Sequence, residues 1–224
     1  CVMIRTFSCR NFRNVNAEKL KFNRINILIG PNNSGKTNFI RALSFCADMV
    51  NNSEKLIGDS SFLTLAYRYG AADIFNKFSG ALNREITMQW EIHLGSHEDV
   101  RYELGFRTGT QLKDFLITKE RLDSTRKRAG EKRPFNYFTC QEKPGTGYIS
   151  KAVMVGEQNS RMRFEIPNND TVLRQFDQIR LDNKEIYENS SRQVDMIQRL
   201  NRYFQKYYFY SSSQFDLKRT REPQ

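Results

Sequence analysis

The stretch Ile25-Asn26-Ile27-Leu28-Ile29-Gly30-Pro31-Asn32-Asn33-Ser34-Gly35-Lys36-Thr37-Asn38 decides how the rest of the chain is read. Residues 30–37 satisfy G-x-x-x-x-G-K-[ST] at every fixed position. Gly30 and Gly35 let the backbone turn tightly around an anion with no Cβ in the way. Amides from about Asn33 to Thr37 then point inward as a nest for phosphates. A helix opening at Lys36 aims the positive end of its dipole at the same place. The spacing assigns Gly30, Asn32, Asn33, Ser34, Gly35, Lys36, Thr37 and Asn38 to nucleotide binding. Lys36 carries the catalytic charge on the β- and γ-phosphates, and the Thr37 hydroxyl is a hard ligand for Mg²⁺. The cofactors implied are ATP and Mg²⁺, although no base-reading motif separates ATP from GTP.

Around this loop the periodicity gives the architecture. The β-branched run Ile25–Ile29 reads as a buried strand feeding the turn, and Lys36 to about Val50 as a helix with Phe39, Ile40, Leu43 and Cys46 or Ala47 on one face. The opening VMIRTFSCRNFRNV reads as short strands, and residues 51–83 as a loop with one or two short helices. Ile86, Met88, Trp90, Ile92 and Leu94 alternate with polar residues, as do Val100, Tyr102, Leu104 and Phe106, so an antiparallel hairpin turns near Gly95. DFLITKERL, FNYFTC, YISKAVMV and MRFEI continue the strand character. TVLRQFDQIR and SRQVDMIQRLNRYFQ return to helical spacing, and KYYFY reads as a buried strand. The fold expected is α/β, a P-loop NTPase lobe with a mixed sheet, joined to an antiparallel β-rich lobe. Its expected parts are a phosphate-loop subdomain over 1–83, the β-rich lobe over 84–166, and a helical segment with a returning strand over 167–224.

The 224 residues are 38% hydrophobic and 27% charged, enough for a core and unlike a disordered chain. No run approaches the roughly 18 apolar residues of a membrane span, and no leader-like pattern opens the chain. Cys1, Cys9, Cys46 and Cys140 make no CxxC pair and suit a reducing cytoplasm. The chain opens at Cys1, without an initiating methionine, so a trimmed sequence is expected. A net charge of +11 attracts nucleic acid, nucleotide phosphates or an acidic partner, or simply makes a soluble basic surface. Arg126, Lys127, Arg128, Lys132 and Arg133 are the candidate contacts to DNA phosphates, with Lys218, Arg219 and Arg221 as a smaller second group. The first cluster also reads as a solvated loop between strands. His93 and His97 lie on and after an alternating strand, where a four-residue spacing does not converge on a metal. Trp90, in phase with Ile86 and Met88, belongs to the core.

About 25 residues of strand-like sequence precede the loop, including CRNFRNV. With GPNNSGKTN, this opening resembles the ATPase heads of the ABC superfamily found in SMC, RecF and OLD-type proteins, with the OLD branch nearest. The FRN opening, the loop, the NFIRALSF helix, the RYG segment and ITKERL, from Ile117 to Leu122, follow the order of that branch. The resemblance implies an ATP-gated homodimer or higher oligomer in which two heads sandwich two nucleotides. It also implies a DNA-related output such as repair, chromosome maintenance or phage defence, with a nuclease domain or subunit alongside. Gln214, after YYFYSSS, resembles the glutamine that senses Mg²⁺ in such heads, and it reads equally as part of an ordinary polar loop. Arg10 and Arg13, close in sequence to the phosphate loop, are candidates to reach a nucleotide or a partner head, and they read equally as surface residues. The chain departs from the family in showing neither an LSGG-like signature nor an apolar run ending in Asp-Glu. An N-terminal lobe, binding nucleotide weakly and hydrolysing little by itself, is the expectation. The alternative is a non-hydrolysing module that holds nucleotide and binds nucleic acid or a protein through its basic surface. A P-loop kinase needs an acceptor site and an arginine-bearing lid that the chain does not display.

Overall fold

The computed structural model describes residues 3–51, 85–95, 98–108, 115–126, 133–145, 149–155, 161–182 and 191–206. Eight strands follow one another as β1 (Met3–Phe12), β2 (Val15–Lys21), β3 (Ile86–His93), β4 (Asp99–Thr108), β5 (Phe115–Ser124), β6 (Asn136–Glu142), β7 (Ile149–Val155) and β8 (Arg161–Pro167). Three helices are described, α1 (Lys36–Asn51), α2 (Val172–Asp182) and α3 (Ser191–Gln205). The sheet order is β2-β1-β3-β4-β5-β6-β7-β8.

Every described pairing is antiparallel, so the expected mixed sheet is corrected to an antiparallel one among the described residues. The reason is connectivity: β3 to β8 alternate apolar and polar residues, and each turns back directly on the last. The alternation read for Ile86–Leu94 and Val100–Phe106 is present residue for residue, with Trp90 opposite Tyr102 and Met88 opposite Leu104. Strand β1 pairs with β3 over Met3–Arg10, which merges the hairpin before the phosphate loop with the later strands into one sheet.

One face of that sheet is apolar and carries the helices. Trp90, Tyr102, Phe7, Phe106 and Phe138 are buried there. Helix α1 contributes Ala42, Phe45, Cys46 and Met49 to the core, with Phe39 and Leu43 packed at its edge. Phe45 stacks on Phe106 at 5.2 Å between centroids, and Trp90 meets Phe204 of α3 edge-on at 6.2 Å. The Trp90 indole N–H donates to the Leu43 carbonyl at 3.1 Å, satisfying its polar edge inside the core. On the opposite face, ion pairs cross the strands: Arg101–Glu91 at 2.7 Å and Lys119–Glu103 at 2.7 Å. Half-exposed pairs of this kind add little stability each, but they keep the face wet.

The strand expected over Ile25–Ile29 is corrected. The segment forms no strand, and Ile25, Ile27 and Ile29 are 82%, 81% and 88% exposed. A strand exists only where a neighbour accepts its ladder bonds, and none of the described strands runs beside these residues. The expectations for residues 52–83 and for KYYFY after Lys206 lie outside the described residues.

One polar group sits where an apolar one is expected. Glu120, in β5, is fully buried. Its carboxylate accepts the Val172 and Leu173 amides at 2.5 and 3.1 Å and the Tyr102 hydroxyl at 2.8 Å. These two amides belong to the first turn of α2, and Thr171 completes the cap by accepting the Arg174 amide through its hydroxyl at 3.3 Å. Burial pushes the Glu120 carboxyl from 4.5 up to about 7, against the opposing pull of its three donors, and nearby Asp170 adds to the rise. The folded state therefore favours the protonated acid. The stability this provides is complete below about pH 4.5 and is lost as the pH climbs through about 7. Glu120→Gln should remove a loss on the order of 3 kcal/mol between pH 5 and 8, measured as the wild-type-minus-variant difference in urea unfolding free energy. Parallel pH profiles for the two proteins would show that Glu120 carries no such linkage.

Candidate functional site: a phosphate cradle at the start of α1

The cradle begins with the β1–β2 turn. Phe12 pairs with Val15, leaving Arg13 and Asn14 at the tip, with Arg13 at φ 52°. The tip rests on the start of α1: the Arg13 Nη1 donates to Asn38 Oδ1 at 3.0 Å, and Asn38 Nδ2 donates to Asn14 Oδ1 at 2.8 Å. The side chain of Asn38 is thus committed to bracing the turn, while its main-chain amide stays on the cradle.

Gly35 closes the loop at φ +93°. Its carbonyl accepts the Phe39 amide at 2.9 Å, the first bond of α1. A Cβ at Gly35 would lie 2.7 Å from Asn14 Nδ2, closer than real contacts of this type. Asn33 also takes a left-handed conformation, φ 64°, which asparagine tolerates better than most residues. The amide of Ser34 donates to the Pro31 carbonyl at 3.3 Å. The amides of Lys36, Thr37 and Asn38, by contrast, meet no acceptor among the described residues. Such first-turn donors are satisfied by water, a cap or an anion.

The Lys36 ammonium folds back over the loop, donating to the Gly30 carbonyl at 2.6 Å and to the Pro31 carbonyl, with Ser34 Oγ at 3.4 Å. Beside it lies a cavity of about 590 Å³, lined by Asn32, Asn33, Gly35, Lys36, Thr37 and Asn38. The room, the open amides, one ammonium and one exposed hydroxyl fit the phosphates of a nucleotide with a hard divalent cation. Gly30 is less demanding than Gly35. A Cβ there would meet mainly the mobile Ser34 Oγ, at 2.9 Å.

The structure therefore gathers Asn32, Asn33, Gly35, Lys36, Thr37 and Asn38 at one cavity, and its lining does not include Gly30 or Ser34. Asn14 is the residue that sequence reading missed. Its place against Gly35 depends on the β1–β2 turn meeting α1, which no spacing within either segment announces. Arg13 reaches α1, whereas Arg10 points away, at 4.0 Å from Glu18 with both side chains exposed. Of the basic cluster, Arg126 and Arg133 are described and exposed. Arg126 is 3.8 Å from Asp99. Lys127, Arg128, Lys132, Gln214, Lys218, Arg219 and Arg221 lie outside the described residues. His93 is paired with Asp99 at 2.6 Å, and His97 lies outside the described residues.

Loop, open amides and lysine together make an anion cradle of the phosphate-loop type. The family model described as "AAA domain, putative AbiEii toxin, Type IV TA system" matches residues 25–149, more than half of the chain and the whole of the loop. The chain belongs to this family of AAA-type ATPase domains, which implies nucleotide binding. No curated protein and no solved structure matches it.

Gly35→Ala should disrupt the cradle by two routes, the positive φ and the Asn14 clash. A loss of roughly 1–3 kcal/mol in unfolding free energy is expected, together with loss of nucleotide binding. Adding Asn14→Ala removes the clash but not the φ cost. The double variant should therefore recover at least about 0.5 kcal/mol relative to additivity in a double-mutant cycle. Strict additivity would mean that Asn14 does not wall the loop.

Proposed function

We propose that the chain is the Mg²⁺-dependent ATP-binding part of an ABC-type ATPase head of the SMC, RecF and OLD class. The observation that carries this reading is the set of open amides at Lys36, Thr37 and Asn38 facing one cavity with the Lys36 ammonium. Three donors and the α1 dipole attract negative charge, and Lys36 exchanges its two carbonyl partners for phosphate oxygens. Thr37 offers its hydroxyl to the cation. The bound nucleotide with Mg²⁺ supplies a transferable phosphoryl group. Gly35 keeps the backbone close, Asn14 and Asn38 brace the start of α1, and the family resemblance assigns Gln214 as a second ligand for the cation. Lys36 is the residue that steadies negative charge at the outer phosphates.

On this reading, nucleotide binding drives two heads together in the cytoplasm, and the output is a DNA transaction with a nuclease partner, in repair, chromosome maintenance or defence against phage. The order of the FRN opening, the loop and ITKERL supports it. The net charge of +11 and the exposed Arg126 and Arg133 support a nucleic-acid partner. The same charge serves the second reading, a nucleotide-holding module that does not hydrolyse.

Lys36→Ala should weaken ATP binding at least tenfold by calorimetry while far-ultraviolet circular dichroism stays unchanged, because Lys36 bonds only to its own loop. Thr37→Ala should abolish the Mg²⁺ dependence of that binding. Unchanged affinity in both variants would remove the reading. DNA affinity, if it rests on phosphate contacts, should fall steeply between 50 and 200 mM salt, roughly tenfold or more. A flat response would exclude those contacts.

A further inference from the structure

Asn38 is the third residue of α1, which opens at Lys36. Both ends of its carboxamide are occupied by the β1–β2 turn. Arg13 Nη1 donates to its Oδ1 at 3.0 Å, and its Nδ2 donates to Asn14 Oδ1 at 2.8 Å. An asparagine side chain near a helix start often competes for backbone groups. Here partners outside the helix remove that competition. The Asn38 main-chain amide, like those of Lys36 and Thr37, meets no acceptor among the described residues. All three residues line the cavity of about 590 Å³.

The turn that holds Asn38 is itself anchored. The Asn11 amide donates to Asn16 Oδ1 at 3.0 Å, and Asn11 Nδ2 donates to the Glu85 carbonyl at 3.0 Å, one residue ahead of β3. Asn11 and Arg13 stand at φ 63° and 52°. Non-glycine residues in this region persist where their surroundings hold them. The turn is therefore a fixed abutment, tied to the sheet on one side and to α1 on the other. Asn14 meets the first turn of α1 at two places. One is Asn38, and the other is Gly35, where a Cβ would come within 2.7 Å of Asn14 Nδ2. Residues three apart are neighbours on one helix face, so a single side chain spans both.

We propose that Asn14 is a positioning residue of the phosphate site, acting through the Asn38 side chain to aim the first-turn amides of α1 at a bound polyphosphate. Asn14 is not among the residues that line the cavity, so it works without touching the ligand. Donors fixed before the ligand arrives need less ordering when it binds, so loss of the brace weakens affinity. The brace acts on the amides alone, which makes its effect blind to the base and separate from the Lys36 charge. The inference rests on the nucleotide reading given above.

The test is calorimetric titration of the full chain with ATP and with inorganic triphosphate, each with Mg²⁺. Asn14→Ala should weaken both ligands by the same factor, roughly three- to tenfold, the range expected for one side-chain hydrogen bond. Asn38→Ala, which keeps its main-chain amide, should weaken them comparably. The double variant should bind within about twofold of Asn38→Ala alone, because the two residues act along one path. A general loss of folding gives no such cycle and lowers the urea midpoint instead. Losses that multiply in the double variant, or a loss for ATP with none for triphosphate, would overturn the proposal. So would unchanged affinity in Asn14→Ala. Should that variant not fold, Asn38→Ala breaks the same contact from the helix side, and unchanged affinity there is equally decisive against it. Wild-type protein that binds neither ligand would overturn the nucleotide reading and this inference together. Ordinary wild-type binding that ignores both substitutions would overturn this inference alone.

Discussion

Pairing between β1 and β3 joins two parts of the chain some eighty residues apart. Phe7 lies opposite Trp90 and Cys9 opposite Met88, and from this seam the rest of the site takes its position. Trp90 fills the core beneath α1 and gives its indole N–H to Leu43, so the helix is seated by both packing and a satisfied polar edge. Once α1 is seated, its first turn lies against the β1–β2 tip, where Asn14 and Arg13 hold Asn38. The phosphate cradle is thus assembled by a sheet register, a core tryptophan and a hairpin turn, none of which lines the cavity itself.

The same core contains an ionisable cost. Glu120 caps α2 from inside the protein, and its neighbours include the buried thiols Cys46 and Cys140 and the Tyr102 hydroxyl. Burial lifts the Cys140 thiol to about 12, so this sulfur is a quiet core residue and no nucleophile at neutral pH. A buried carboxylate on two helix amides orients α2 more sharply than an apolar residue would, at the cost of desolvation. It sits in ITKERL, the segment that the family resemblance had marked, and it explains in physical terms what that glutamate does in this chain.

Membership of the AAA-type ATPase domain family, through residues 25–149, agrees with the chemistry of the loop. The match begins at Ile25, so it takes in the apolar run as well as the loop. Gly30, whose carbonyl meets the Lys36 ammonium, is the joint between them.

Local chemistry was legible in the sequence. The eight residues from Gly30 to Thr37 announced an anion cradle, because glycine freedom, a lysine and a hydroxyl at fixed spacing serve few other ends. The strands from Ile86 to Ile166 were legible because a period of two records one wet and one dry face. Long-range pairing was not. Alternation tells which residues face inward but not which strand lies beside which. Only the folded chain decided that β1 joins β3, that the sheet is antiparallel throughout its described part, and that Asn14 stands behind Gly35. The run Ile25–Ile29 marks the boundary between the two kinds of information. Its composition demands burial and pairing, yet a strand is a relation between segments, and composition alone cannot supply the neighbour.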